Sequence, residues 1–117
     1  MTLQQELIYT MVVNPDVHTP RGRVKVREIV EIITSYFNIS SEKIRSEVRK
    51  KDIVMARHFA YYFTCEKTEL SLKKIAYLFN RECHSSIMHG RDVICHEVFS
   101  AKTPNYVDAF NYIKSQL

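Results

Sequence analysis

Apolar side chains recur at intervals of three and four residues along most of this chain, and this spacing limits the fold more than any other feature of the sequence. Residues three and four apart share one face of an α-helix, whereas a half-buried strand needs strict alternation. Glycine occurs only at Gly22 and Gly90, and the prolines lie near the ends of the periodic segments. The sequence therefore predicts an all-α fold, a compact helical bundle.

Residues that favour helix ends separate the first core helices. Asn38 is expected to end the first one, and Ser40 or Ser41 to cap a short helix through Ile44. A long helix is expected to start near Asp52. The apolar faces of the two longer helices comprise Val26, Ile29, Val30, Ile33, Tyr36 and Phe37, and then Ile53, Ala56, Phe59, Ala60 and Phe63.

Two helices separated by a tight turn follow. Ser71 can cap the first, and Asn80 can adopt the left-handed conformation that ends it. Thr103 and Pro104 suit the start of a final helix. The apolar positions are Leu72, Ile75, Ala76 and Phe79, then Ile87, Gly90, Ile94 and Val98, then Tyr106, Ala109, Phe110 and Ile113. The sequence thus predicts a helix-turn-helix centred on Cys83 to His89.

The length of 117 residues suits a single domain. We divide it into an N-terminal helix and loop (1–23), a helix-turn-helix core (24–99) and a C-terminal helix (100–117). The apolar run from Leu7 to Val13 is too short to cross a bilayer, and no basic residue precedes it. We therefore expect no membrane association and a cytoplasmic, nucleoid-associated location.

Positive charge is concentrated in one part of the chain. The stretch from Arg21 to Arg57 contains ten Lys or Arg and five Asp or Glu, which gives it a net charge of +5. The whole chain has a net charge of +4, so the other residues are close to charge balance. Such a stretch favours phosphates or an acidic surface as a partner, although a solvated helix face would have the same composition.

Small polar side chains stand where the second helix of the predicted helix-turn-helix begins. A recognition helix enters the major groove with such side chains near its N-terminus, where backbone amides also attract phosphate. His84, Ser85 and Ser86 meet that requirement. The two serines could instead only cap the helix.

At these residues the chain resembles the C-terminal DNA-binding domain of the bacterial replication initiator DnaA, a helix bundle with a Trp-repressor-like helix-turn-helix. The resemblance runs from about Val26 to Cys95. It is carried by R-K-K-D-I-V-M-A-R-H at Arg49 to His58 and by H-S-S-I-M-H at His84 to His89, which is similar to the family's H-T-T-V-L-H.

The resemblance implies a role for each matching residue. Arg49 would enter the minor groove, with Lys50 and Lys51 on the adjacent backbone. Arg57 would reach a base or phosphate, unless it pairs with Asp52 or Glu47. His58 stands where the family often has Gln, and Thr68 matches a phosphate-contacting Thr. His84, Ser85 and Ser86 would lie in the major groove, whereas His89 is expected to pack.

Two departures limit what the resemblance implies. Arg81, Glu82 and Cys83 stand where the family usually has Gly-Arg-Asp, so the preferred DNA sequence is expected to differ. The sequence also contains no G-x-x-x-x-G-K-[ST] loop. We therefore expect sequence-specific binding of double-stranded DNA in replication initiation or its regulation, without ATPase activity, and not an enzyme.

Other functions remain open at the level of sequence. Transcriptional repression would use the same fold. A protein-interaction module could use the tyrosines, with the basic loop docking an acidic partner; these tyrosines are Tyr61, Tyr62, Tyr77, Tyr106 and Tyr112. A replication protein or a second copy of the chain is a further possible partner. No cofactor is expected. A metal site fits poorly, because Cys83, His84, His89, Cys95 and His96 match no standard tetrahedral spacing.

The three cysteines, Cys65, Cys83 and Cys95, form no CxxC pair and are expected to be reduced thiols. Ser85 beside His84 lacks a group to orient the imidazole for nucleophilic catalysis.

Overall fold

A computed structural model describes residues 25–100 and 103–117. This part of the chain contains six α-helices and no strand, which confirms the all-α prediction. The helices are α1 (Val26–Phe37), α2 (Ser41–Arg45), α3 (Lys51–Lys67), α4 (Leu72–Leu78), α5 (Ser85–Phe99) and α6 (Pro104–Gln116). The N-terminal helix predicted within residues 1–23 lies outside the described residues.

Local sequence signals locate most of the helix ends. The Ser40 and Ser71 hydroxyls accept hydrogen bonds from the third amide of α2 and α4, as N-caps do. Asn38 and Asn80 are left-handed, with φ of 54° and 60°. These four predictions are confirmed.

The start of α3 differs from the prediction. Asp52 is not the cap, because α3 begins at Lys51 and its N-cap position is occupied by Lys50, whose side chain makes no capping bond. The Asp52 carboxylate instead accepts from the adjacent amide of Ile53. Lys51 therefore belongs to the first turn of a helix and not to the preceding loop.

Helix α3 lies at the centre of the bundle and contacts α1, α2, α4 and α5. Phe59, Ala60, Tyr61 and Phe63 are buried on it. Buried aromatic rings remove a large apolar area from water and so contribute strongly to the stability of the core. The most extensive helix pair is α3 with α5, the second helix of the helix-turn-helix.

The C-terminal helix also belongs to this core. Ala109, Phe110 and Ile113 of α6 are buried, and the Phe110 ring lies 5.4 Å from that of Phe63. Helix α6 contacts both α1 and α5. Its apolar face therefore closes the bundle beyond the segment that carries the resemblance.

Candidate nucleic-acid interface

The turn between α4 and α5 is shaped by a left-handed residue. Asn80 follows the last residues of α4, its amide bonds to the Tyr77 carbonyl, and the amide of Arg81 bonds to the carbonyl of Ala76. This pair of bonds is a Schellman motif, which ends a helix and redirects the chain. Helix α5 begins four residues after Arg81.

The first turn of α5 presents polar side chains to solvent. His84, Ser85 and Ser86 are exposed, whereas Ile87, Gly90, Ile94 and Val98 are buried on the opposite face. This division of the helix was predicted and is confirmed.

The serines of α5 do not serve as its caps. His84 occupies the N-cap position without a side-chain capping bond, and the Ser85 hydroxyl donates to the sulfur of Cys83 at 3.1 Å. The hydrogen bonds from Ser85 lower the pKa of the exposed Cys83 thiol. The interpretation of both serines as capping residues is therefore wrong, and their hydroxyls lie at the surface.

A surface groove of about 520 Å³ joins the basic segment, defined here as Arg49–Lys51, to the start of α5. Arg49 lines one side of it, and Ser86 and His89 line another. Lys50 and Lys51 are exposed next to Arg49. Arg49 and Ser86 belong to different sequence motifs and lie 37 positions apart in the chain, yet they meet at one concave surface.

Arg57 lines the same groove but is directed into the protein. Its side chain is 7% exposed, and its guanidinium donates to the carbonyls of Ile44 at 2.8 Å, Val48 at 2.9 Å and Lys43 at 3.2 Å. Burial, followed by the nearby charge of Arg81, lowers the pKa of Arg57. Its acceptors are carbonyls rather than the carboxylates of Asp52 or Glu47. Arg57 was expected to contact a base or a phosphate of DNA. That contact stays a prediction, and the inward direction of the guanidinium does not favour it.

Thr68 is also engaged within the protein. It is 6% exposed and lies just after the end of α3, where its hydroxyl donates to the Thr64 carbonyl at 2.6 Å. The same oxygen accepts from the amide of Leu70. A phosphate contact by Thr68 therefore also stays a prediction, and its hydroxyl already has two partners.

His58 and His89 face each other across the contact between α3 and α5. Their ring centroids lie 5.7 Å apart in an edge-to-face arrangement, and the buried Nδ1 of His58 has no hydrogen-bond partner among the described residues. Burial, followed by the charges of His89 and Arg57, lowers the pKa of His58 to about 4. His58 is therefore neutral at pH 7. His89 packs edge-to-face on the His58 ring, as expected, and the rest of its side chain is exposed at the groove.

The two helices approach closely because residue 90 has no side chain. A Cβ on Gly90 would lie 2.7 Å from Cδ2 of Tyr61 and 2.9 Å from Cδ2 of His58. Both distances are shorter than carbon atoms tolerate. Gly90 thus sets how near α5 lies to α3, and with it the position of the first turn of α5.

Arg81 was not among the site residues predicted from the sequence. Its Nε donates to the Tyr61 hydroxyl at 2.8 Å, and its guanidinium also bonds to the carbonyl of Ser46. A basic residue where the resembling family usually has Gly was a visible signal. Its partners were not visible, because Tyr61 and Ser46 are distant in sequence.

Comparison with known proteins agrees with this geometry. The family model described as "Bacterial dnaA protein helix-turn-helix" matches residues 26–94, which cover α1 to α4 and most of α5. The chain belongs to this family. The DnaA helix-turn-helix is a DNA-binding fold, and the resemblance predicted from the two motifs is confirmed.

Three curated relatives illustrate the similarity, and each is named chromosomal replication initiator protein DnaA. The Chloroflexus aurantiacus protein is 31% identical over 80 residues, 68% of this chain and 17% of the relative. The Lactobacillus johnsonii protein is 34% identical over 71 residues, which are 61% of this chain and 16% of the relative. The Lactobacillus delbrueckii subsp. bulgaricus protein is 32% identical over 82 residues, which are 70% of this chain and 18% of the relative. The chain thus spans less than a fifth of the length of these DnaA relatives.

Three further findings concern the other expectations from the sequence. Tyr61 and Tyr62 are 2% and 8% exposed, so they cannot supply an interaction surface as the interaction-module hypothesis required, whereas Tyr77 and Tyr112 are 48% and 45% exposed. Among the described residues, no three His, Cys, Asp or Glu side chains come together as a metal site. No helix in the part of the chain that the structure covers is long and apolar enough to span a membrane.

Proposed function

We propose that this DnaA-family domain binds double-stranded DNA with a preference for particular sequences. The groove carries the proposal, because it brings Arg49 and Ser86 to one surface. The basic segment would contact one groove of the duplex and the neighbouring phosphates, and the first turn of α5 would contact base edges in the major groove.

The proposal assigns different tasks to the residues of the two motifs. Arg49, Lys50 and Lys51 are exposed and supply the positive charge that phosphates attract. His84, Ser85 and Ser86 offer imidazole and hydroxyl groups at a helix N-terminus with no acidic residue in its first turn. His58 would contribute from the wall of the groove.

The relatives suggest the process in which this binding takes part. They are named chromosomal replication initiators, so we propose a role in replication initiation or its regulation, at the nucleoid in the cytoplasm. The proposed activity requires no ATPase in this chain. The same binding of double-stranded DNA would allow the domain to compete with a full-length initiator for its sites or to repress transcription.

Selection of bound sequences from a random duplex pool tests the proposal. We expect one enriched motif, and Arg49→Ala should weaken binding to it by about 10- to 100-fold, as losing a base-reading arginine does. Ser85→Ala with Ser86→Ala should relax the preference at different base pairs.

The control is Arg27→Ala, which removes an exposed arginine of α1 that pairs with Glu31 and lies outside this groove. Its binding should stay within about twofold of the unaltered protein. The absence of an enriched motif, or equal behaviour of Arg49→Ala and Arg27→Ala, would contradict the proposal.

A further inference from the structure

The loop that leads into the basic segment has little regular structure of its own. Residues 46–50 connect α2 to α3, and Glu47, Val48, Arg49 and Lys50 are all exposed. Within this loop the Ser46 hydroxyl donates to the Lys43 carbonyl and accepts from the Val48 amide. Such exposed turns are mobile unless their polar backbone groups are held from outside.

Two arginines from other parts of the chain hold this loop. Arg57 of α3 binds the carbonyl of Val48, directly before Arg49, and Arg81 of the α4–α5 turn binds the carbonyl of Ser46. A guanidinium offers several donors in a rigid fork, so one side chain can join two acceptors. The loop is therefore attached by its backbone to the helix-turn-helix.

Arg81 is itself held in place by residues that pack near α5, the proposed recognition helix. Its amide completes the Schellman motif at the end of α4, and its Nε donates to the Tyr61 hydroxyl. Tyr61 is 2% exposed and lies against Gly90 of α5. Arg81 thus connects a rigid point in the α3–α5 packing to a carbonyl three residues before Arg49.

We infer that Arg81 is a positioning residue for DNA recognition: it sets the place of Arg49 relative to the first turn of α5 and so couples the two proposed contact elements. The inference rests on the proposed function. Arg81 acts through the Ser46 carbonyl, and it does so by the geometry of its fork rather than by its charge. The preferred base pairs read by Arg49 therefore depend on Arg81, and those read by Ser85 and Ser86 do not.

Arg81→Lys tests this inference because it keeps the charge and removes the fork. Backbone order parameters of residues 47–50 should fall from about 0.85 to below 0.6, as expected when a rigid segment becomes flexible. Sequence selection should lose the preference at the base pairs that Arg49→Ala affects and keep the rest. The double variant Arg49→Ala with Arg81→Lys should bind within about twofold of Arg49→Ala alone, because the two changes remove one interaction.

Tyr61→Phe provides a second variant that retains Arg81 and deletes one of its acceptors. It should increase motion in residues 47–50 to a smaller extent and shift the same base preference. Arg27→Ala is the charge-loss control, and it should change neither the order parameters nor the preference.

Several results would overturn the inference. Unchanged order parameters in both Arg81→Lys and Tyr61→Phe would show that the fork does not hold the loop. A mobile loop with an intact base preference would show that Arg81 does not position Arg49 for recognition. Equal losses at the base pairs read by Arg49 and by α5 would indicate a general structural role. If the unaltered protein shows no base preference, the proposed function fails, while the order parameters still decide whether Arg81 holds the loop.

Discussion

The two elements that line the groove are held by different kinds of interaction. The first turn of α5 continues into a helix whose Ile87, Gly90 and Ile94 are buried in the core. The basic segment follows an exposed loop whose carbonyls are bound by the side chains of Arg57 and Arg81. Apolar packing is tolerant of direction, whereas hydrogen bonds to carbonyls require defined geometry. Polar substitutions should therefore move the basic segment alone, whereas core substitutions should move α5.

Removing the polar support should have the largest effect on stability. Arg57→Ala removes the donor that binds the carbonyls of Ile44 and Val48, and an unsatisfied polar group costs about 1–3 kcal/mol. The Lys43 carbonyl also loses this donor but keeps the hydrogen bond from the Ser46 hydroxyl. We expect the free energy of unfolding to fall by about 4 kcal/mol, measured by urea denaturation. Arg27→Ala should change it by less than about 0.5 kcal/mol. An unchanged stability combined with weaker DNA binding would instead show that Arg57 contacts DNA.

Crowding the contact between α3 and α5 should displace α5 and leave the basic segment in place. Gly90→Val places carbon atoms where a Cβ alone would already lie 2.7 Å from the buried ring of Tyr61. Overpacking of this kind should lower the free energy of unfolding by about 3 kcal/mol. The displaced α5 should also lose base preference at the positions read by Ser85 and Ser86. Normal stability of this variant in thermal denaturation would mean that the helices do not need so close an approach.

The histidine between the two elements should make stability depend on pH. The pKa of His58 in the folded protein is about 4, below its ordinary value of 6.5, so the unfolded chain binds more protons between these values. Stability is therefore complete above pH 6.5 and is lost as the pH falls towards 4. We expect a loss of about 2 kcal/mol for this half-buried ring.

Urea denaturation of the unaltered protein and of His58→Gln across pH 4 to 7 measures this loss. Glutamine does not titrate, so the variant should lack most of the decline over that range. His89 and Arg57, whose charges face His58, are present in both proteins and provide the matched background. Identical pH profiles would exclude His58 as the group responsible.

Substitution of Thr68, a residue outside both elements, should have the smallest effect. Thr68→Val removes a hydroxyl that donates to the Thr64 carbonyl at 2.6 Å and accepts from the amide of Leu70. We expect stability to fall by about 1 kcal/mol, the usual contribution of one hydrogen bond. DNA affinity and its salt dependence should not change. A salt slope reduced by about one would instead assign a phosphate contact to Thr68.

Local features of the helices and the family could be predicted from the sequence, because they depend on short-range chemistry. A serine cap bonds to an amide three positions later, and Asn80 needs only its own backbone conformation to end α4. The motifs at Arg49 to His58 and at His84 to His89 were sufficient to indicate the DnaA family, which the match over residues 26–94 confirms. The exposed and buried faces of α5 also follow from spacing alone.

The tertiary structure decided which of the basic side chains face solvent and which support the fold. Arg49 and Arg57 belong to one motif, yet Arg49 is exposed to solvent and Arg57 is buried, with 7% of its surface exposed. The partners of Arg57 lie 9 to 14 positions earlier in the chain, and the carbonyl bound by Arg81 lies 35 positions earlier. Helical periodicity carries no information about such distances, because it describes one element at a time. Only the packing of α3 against α2 and α5 brings these carbonyls within reach of a guanidinium, and that packing determines the site.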